Sequence, residues 1–234
     1  MALLVVGGAV VLGLSGPIRA DSGGPGVGAP GAAAQDRPVV HRIAVIGDSY
    51  TGGSEMGGVA ELSWVGDIAR RLRDQGIELE AWQGTAGGSG YVTRGTGEAV
   101  LPELVVTAVQ ADTRIVVFFG SRNDTGRSGI GEAAEAAFRD AQRISPDAYL
   151  MVIGPPWVDG DVPPEVLANR DEVRVAAEAV GATFVDPLEE GWFTGAESSL
   201  IGSDDLHPTD DGHAYMATKI LPHLEDALRA VGAA

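Results

Sequence analysis

Two kinds of apolar pattern alternate along most of the chain. Short continuous runs come first: residues 43–46 read Ile-Ala-Val-Ile before Gly47-Asp48-Ser49, residues 114–119 read Arg-Ile-Val-Val-Phe-Phe before Gly120, and residues 149–153 read Tyr-Leu-Met-Val-Ile. Runs that stay apolar without alternating suit strands covered on both faces. Residues 77–82 and 182–185 supply two more. Between the runs lie stretches with helical spacing. In residues 64–75, Trp64, Ile68 and Leu72 share a face with Val65 and Ala69, Ser63 is placed to cap the start, and Gly76 to stop the end. Residues 101–109 (with Pro102 near the start), 133–144, 164–180 and 209–230 are the other predicted helices, and Pro222 should break or kink the last. Strands alternating with helices predict an α/β chain, a three-layer α/β/α sandwich on a mostly parallel five-stranded sheet.

The first part of the chain follows neither pattern. Residues 2–14 are almost wholly apolar, too short to span a bilayer comfortably but suited to the core of an export signal, with Ala20 as a small cleavage residue. The expected basic start is missing. Residues 21–38 are dominated by Gly, Pro and Ala and read as a flexible linker. The sequence therefore predicts a signal peptide or N-terminal anchor at 1–20, a linker at 21–38, a single folded domain at 39–234, and a secreted or cell-envelope location.

Composition narrows the chemistry. A formal net charge of −17 argues against nucleic acid or an anionic membrane as partner, since both need clustered Lys and Arg. Lys219 is the single lysine, which excludes a phosphate-binding lysine loop elsewhere, and the absence of cysteine excludes disulfides, thiolate metal sites and a cysteine nucleophile. No stable membrane insertion of the folded domain is expected.

The ends of the strands carry the chemistry. In open parallel sheets the ligand site lies beyond the carboxyl ends of the strands. Ser49 stands there after the first run, and Gly84-Thr-Ala-Gly87-Gly88-Ser-Gly90 follows the second. Gly120-Ser-Arg-Asn123-Asp124 follows the third, and Asp204-Asp205-Leu206-His207-Pro208 lies after the last. An acid three residues before a histidine, a serine and neutral hydrogen-bond donors make up the inventory of a serine hydrolase. Pro208 biases His207 toward an extended backbone, on a stiff loop.

These four blocks, in this order, resemble the signature blocks of the SGNH (GDSL-type) hydrolases, and the resemblance covers about residues 41–220. It implies a flavodoxin-like sandwich and hydrolysis of an acyl ester, on a small molecule or a glycan, with neither metal nor organic cofactor. It also implies Ser49 as nucleophile, His207 as base and Asp204 as orienting acid, with an oxyanion hole made by the Ser49 and Gly88 amides and the Asn123 side chain. Two departures stand out. Tyr50 occupies a position where leucine is common, a change expected to be one of packing. Gln83 replaces a common asparagine, which leaves Gly88 and Gly90 as competing oxyanion donors, with Gly88 favoured.

Neighbouring residues have plainer roles open to them. Asp48 and Asp124 suit backbone anchoring better than catalysis, and Asp205 competes with Asp204 for the imidazole. His213, near Asp210 and Asp211, is expected to be solvated or capping rather than a metal ligand. Arg122 suits a surface ion pair as well as a substrate contact, and Trp157, Trp192 and Phe193 suit either a pocket rim or the core. The loops at 51–62, 90–98, 155–163 and 189–203 are expected to wall an open cleft, which favours short acyl groups. Acyl transfer to another acceptor, or a non-catalytic carbohydrate- or lipid-binding envelope protein, are the competing functions.

Overall fold

The structure is a computed structural model that describes residues 39–233, so the leader and linker expected at 1–20 and 21–38 lie outside the described residues. Five strands, β1 (Val40–Gly47), β2 (Glu78–Thr85), β3 (Ile115–Phe119), β4 (Tyr149–Ile153) and β5 (Thr183–Val185), pair in the order β2-β1-β3-β4-β5. Every pairing is parallel. Among the described residues there are six α-helices, in chain order α1 (Ser49–Gly52, a single turn), α2 (Trp64–Asp74), α3 (Leu101–Ala108), α4 (Ile130–Ile144), α5 (Pro164–Ala179) and α6 (Asp210–Ala230). None of the described helices is long and apolar enough to cross a membrane.

Alternation along the strands divides the core in two. Ile43, Val45, Ile115, Val117, Phe119 and Met151 face α2 and α6, where Trp64, Ile68, Leu72, Ile220 and Leu224 are buried. Ala44, Ile46, Val116, Phe118 and Val152 face α3, α4 and α5, where Leu101, Val105, Phe138 and Val173 are buried. Both faces being covered is the reason these strands lack polar alternation. The result is the three-layer α/β/α sandwich that the sequence pattern implies.

Several boundaries differ from expectation for local physical reasons. β2 runs on through Gly84 and Thr85, residues expected to belong to a loop, because Gly47 of β1 continues the ladder opposite Thr85. Glycine is needed at 84, since a Cβ would lie 2.9 Å from the Leu104 carbonyl oxygen of α3. α4 starts earlier than its apolar spacing suggests, because Gly129 at φ +80° turns the chain and buries Ile130 at the first helical position. α6 continues through Pro222, with Ile220, Leu224, Ala227 and Leu228 buried on either side of it. Packing along that face offsets the hydrogen bond that proline cannot make.

One contact seats the loop after α1 against the start of α6. The Gly58 N–H donates to Asp210 Oδ1 at 2.8 Å, and the His213 side chain fills the space beside Gly58. Gly58 has φ +76°, and a Cβ there would overlap the His213 ring. Gly58→Ala should therefore destabilise the protein by about 2–4 kcal/mol through backbone strain and overpacking together. A urea unfolding curve tests this, a lower midpoint at unchanged slope being expected. A midpoint equal to wild type would mean that the loop relaxes freely.

Candidate active site

The turn that follows β1 is built by Asp48. Its carboxylate caps α1, with Oδ1 accepting the Tyr50 N–H at 2.8 Å, while its carbonyl accepts the N–H groups of Thr51 and Gly52 at 3.0 and 2.9 Å. Gly47 precedes it because any Cβ there would collide with the Thr51 side chain. The chain thus leaves β1 in a tight turn that presents Ser49, half-buried, at the carboxyl rim of the sheet.

The histidine arrives from the other end of the fold. Asp204 Oδ1 accepts the backbone N–H groups of Leu206 and His207 at 3.0 and 2.9 Å, so this acid shapes its own loop. The Gly202 N–H donates to the His207 carbonyl at 2.7 Å, and Ile201 and Pro208 bridge across the loop's base. Asp204 Oδ2 then meets His207 Nδ1 at 2.6 Å, and His207 Nε2 meets Ser49 Oγ at 3.0 Å. Asp205 stands apart, exposed and at φ +53°. Backbone and side-chain hydrogen bonds from His207 hold the Asp204 carboxyl down at about 2. An ionised carboxylate only accepts, so Nδ1 carries the imidazole proton and Nε2 of the neutral ring is left to accept from Ser49.

The donors at the rim are of two kinds. Gly88 lines the cleft at φ +74° with open space where a side chain would stand, and neither its N–H nor that of Ser49 meets an acceptor among the described residues. Gly90 is turned away: its N–H donates to the Thr93 carbonyl at 2.9 Å, and a Cβ there would overlap the Asp124 carboxylate. Asn123 also lines the cleft, but its Nδ2 already donates to Asp48 Oδ2 at 2.9 Å and to the Ser89 carbonyl at 2.8 Å. An incoming oxygen would reach this amide as a third acceptor, sharing one of those hydrogens. Asp124, fully buried, accepts the N–H groups of Tyr91, Val92 and Thr93 at 2.7, 3.1 and 2.9 Å and so anchors the β2–α3 loop.

Other expectations are revised. Trp192 and Phe193 are core residues, packed against Phe119 and Tyr50, whereas Trp157 is half-buried under the Arg122 guanidinium at 4.4 Å. Of the four loops expected to wall the cleft, 51–62 does so through Gly53 and Ser54, whereas 90–98, its backbone drawn inward by Asp124, 155–163 and 189–203 do not line it. The cleft, of about 350 Å³, is bordered also by Gly87, Arg122 and Leu206. His213 is wholly buried, and neither ring nitrogen has a partner among the described residues, contrary to a solvated or capping role. Asn169 of α5 was missed altogether; it donates to the Ser121 carbonyl at 3.0 Å and steadies the strained turn, φ +95°, before Asn123. A polar side chain at the buried spacing of Val166 and Val173 was its one sequence signal.

Two buried groups set opposing pH responses. Burial pushes the Asp48 carboxyl up to about 6 despite the Tyr50 N–H and the Arg122 charge, and burial pushes His213 down to about 4. Asp48 favours the folded state below its unfolded value near 3.8, a contribution lost as pH rises through about 6. His213 contributes above its unfolded value of 6.5, a contribution lost as pH falls toward about 4. Each amounts to roughly 3 kcal/mol and the two offset each other. His213→Gln should expose the Asp48 slope, so that its unfolding free energy falls between pH 4.5 and 6.5 while that of wild type changes less. A variant gaining stability over that range contradicts this assignment.

A GDSL-like lipase/acylhydrolase family model matches residues 45–215 of the chain. The GDSL lipase Rv0518 of Mycobacterium tuberculosis is 40% identical over 206 residues, covering 84% of this chain and 89% of that protein. Among solved structures, TesA aligns with a TM-score of 0.62 at 19% identity, over 82% of this chain and 99% of that one. A family two carbohydrate esterase from Clostridium thermocellum, in complex with cellohexaose, aligns with a TM-score of 0.61 at 20% identity. That alignment covers 83% of this chain but 66% of the other, so the chain spans just under two thirds of that protein.

Proposed function

This chain belongs to the GDSL-like lipase/acylhydrolase family and hydrolyses ester bonds, and we propose that it does so as a serine esterase, through an acyl-enzyme formed on Ser49. The observation that carries this reading is the unbroken line of contacts from Asp204 Oδ2 through His207 to Ser49 Oγ, 2.6 and 3.0 Å long. A serine hydroxyl is a poor nucleophile at neutral pH and needs a base within hydrogen-bond reach.

In the proposed cycle, Ser49 Oγ attacks the ester carbonyl carbon as its proton passes to His207 Nε2. Asp204 holds the other ring nitrogen and stabilises the imidazolium that forms. The carbon–oxygen bond to the alcohol then breaks, and His207 returns the proton to the leaving oxygen. Water attacks the acyl-enzyme with His207 again as base, which releases the acid and restores Ser49. The negative charge on the former carbonyl oxygen falls to the open amides of Ser49 and Gly88, with Asn123 Nδ2 as the third donor. Preorganised donors of this kind act where charge develops and cost no reorganisation during the step.

The proposed substrates are short acyl esters. Small residues, Gly53, Ser54, Gly87 and Gly88, border the cleft beside Ser49 and leave a shallow, open space rather than a long channel. Acyl groups of a few carbons fit such a space without leaving apolar chain in water.

Ser49→Ala should abolish turnover of p-nitrophenyl acetate, and retained activity would remove Ser49 from the reaction. Asn123→Ala should slow turnover by about 10²–10³ and cost about 1–3 kcal/mol of stability, because it strips a partner from buried Asp48. A rate loss below about threefold would take Asn123 out of the oxyanion hole. In a series of p-nitrophenyl esters, kcat/KM should peak at short chains, and a maximum at twelve carbons or more would overturn the substrate proposal.

A further inference from the structure

Tyr50 follows Ser49 directly, and its ring is buried edge-on to Phe119 and Phe193, with centroids 6.1 and 6.3 Å away. Its hydroxyl leaves that apolar setting. It donates to the Leu206 carbonyl at 2.6 Å and accepts from Arg122 Nη1 at 2.9 Å. The same Arg122 nitrogen lies 3.5 Å from the Leu206 carbonyl, and the guanidinium rests over the Trp157 ring at 4.4 Å. A cation donating into a phenol oxygen strengthens that phenol as a donor, and half-burial preserves the effect. Residues from two strand-end loops, Tyr50 and Arg122, therefore converge on the carbonyl of Leu206, the residue before His207, with Trp157 of a third loop packed against Arg122.

The His207 loop is otherwise held by bonds within itself. The contacts of Asp204 with Leu206 and His207, and of Gly202 with His207, fix the loop's shape. They do not fix its place against the nucleophile. Two hydrogen bonds join residues 48–52 to residues 204–207: Ser49 Oγ with His207 Nε2, and Tyr50 Oη with the Leu206 carbonyl. In the proposed cycle the first is broken and remade as the proton moves. The second need not change.

We infer that Tyr50 is a positioning residue, braced from behind by Arg122 and Trp157, that keeps the His207 imbidazole at Ser49 while their own hydrogen bond is interrupted. The inference rests on the acyl-enzyme reading above. It gives the tyrosine at this position a task beyond packing, since phenylalanine would fill the same core space without reaching Leu206. Arg122 belongs to the same device, and the surface ion pair considered for it is replaced by contacts to a hydroxyl, a carbonyl and an indole ring.

Tyr50→Phe should lower kcat on p-nitrophenyl acetate by about tenfold, the upper range for one lost hydrogen bond, with KM within about twofold of wild type. The rate at which diethyl p-nitrophenyl phosphate inactivates Ser49 should fall by the same factor, because that attack also needs the imidazole in place. Arg122→Gln, made from the cleft side without disturbing the core, should give a smaller loss. The double variant should be no slower than Tyr50→Phe, as expected for residues acting through one contact. A kcat within about twofold of wild type in Tyr50→Phe, a loss confined to KM, or additive losses in the double variant would overturn the inference. If Tyr50→Phe folds poorly, an unchanged kcat in Arg122→Gln overturns it as well. Absence of turnover in wild type, or full turnover in Ser49→Ala, would instead remove the acyl-enzyme reading and this inference with it.

Discussion

The structure depends on one constraint above the others: β1 must pair in parallel, and in register, with strands on both sides. Gly47 lies level with Thr85 of β2 and with Phe119 of β3, and Phe119 is level with Ile153 of β4. Val185 of β5 is level with Ile153 in turn, and because parallel strands all finish at the same rim, five connections leave the sheet from one edge. The ladder even runs one step past the strands, with the Ala86 N–H donating to the Gly47 carbonyl at 3.1 Å. That alignment lets Ser49, Gly88 and Asn123 share a cleft although they come from three different loops. A slip of one residue in any pairing would turn the inward side chains outward and separate these groups.

Given the common rim, buried polar contacts then hold the loops in place. Asp48 joins two of them, as cap of α1 and acceptor for Asn123; Asp124 ties the β3–α4 connection to the β2–α3 loop through three backbone N–H groups. A buried carboxyl is costly unless it is hydrogen-bonded, and each of these has its bonds supplied by main-chain or side-chain amides. The residual cost is visible at Asp48, whose carboxyl sits at about 6, with burial outweighing its partners. The line of contacts through Asp204, His207 and Ser49 is thus set among loops that two other, buried carboxyls hold in place.

Much of this was legible in the chain itself. Unbroken apolar runs predict strands buried on both faces, and the polar residues following each run mark the rim. The three-residue offset between Asp204 and His207 also makes local sense, because it lets one carboxylate shape the loop and meet the ring. What could not be read was direction. Nothing in the one-dimensional pattern tells whether the Tyr50 hydroxyl leaves the core or whether His213, amid Asp210 and Asp211, turns inward beneath Gly58. Trp192 and Phe193 likewise sit in an apparent loop yet pack into the core, since the connection after β5 folds back across the sheet. Ends of elements were displaced where a partner strand or a left-handed glycine, rather than apolar spacing, sets the boundary, as at Thr85 and Gly129.

The order of the blocks along the polymer has a consequence for biosynthesis. Ser49 and His207 are 158 residues apart, and the loop bearing the imidazole follows all five strands. During translation the hydroxyl emerges from the ribosome early and the ring late, while α6, which buries His213 behind that loop, comes later still. A nascent chain would thus hold all five strands before its serine gains a histidine partner. Under the proposed cycle, a polypeptide that stops short of residue 207 would carry the serine without its base, however complete its sheet.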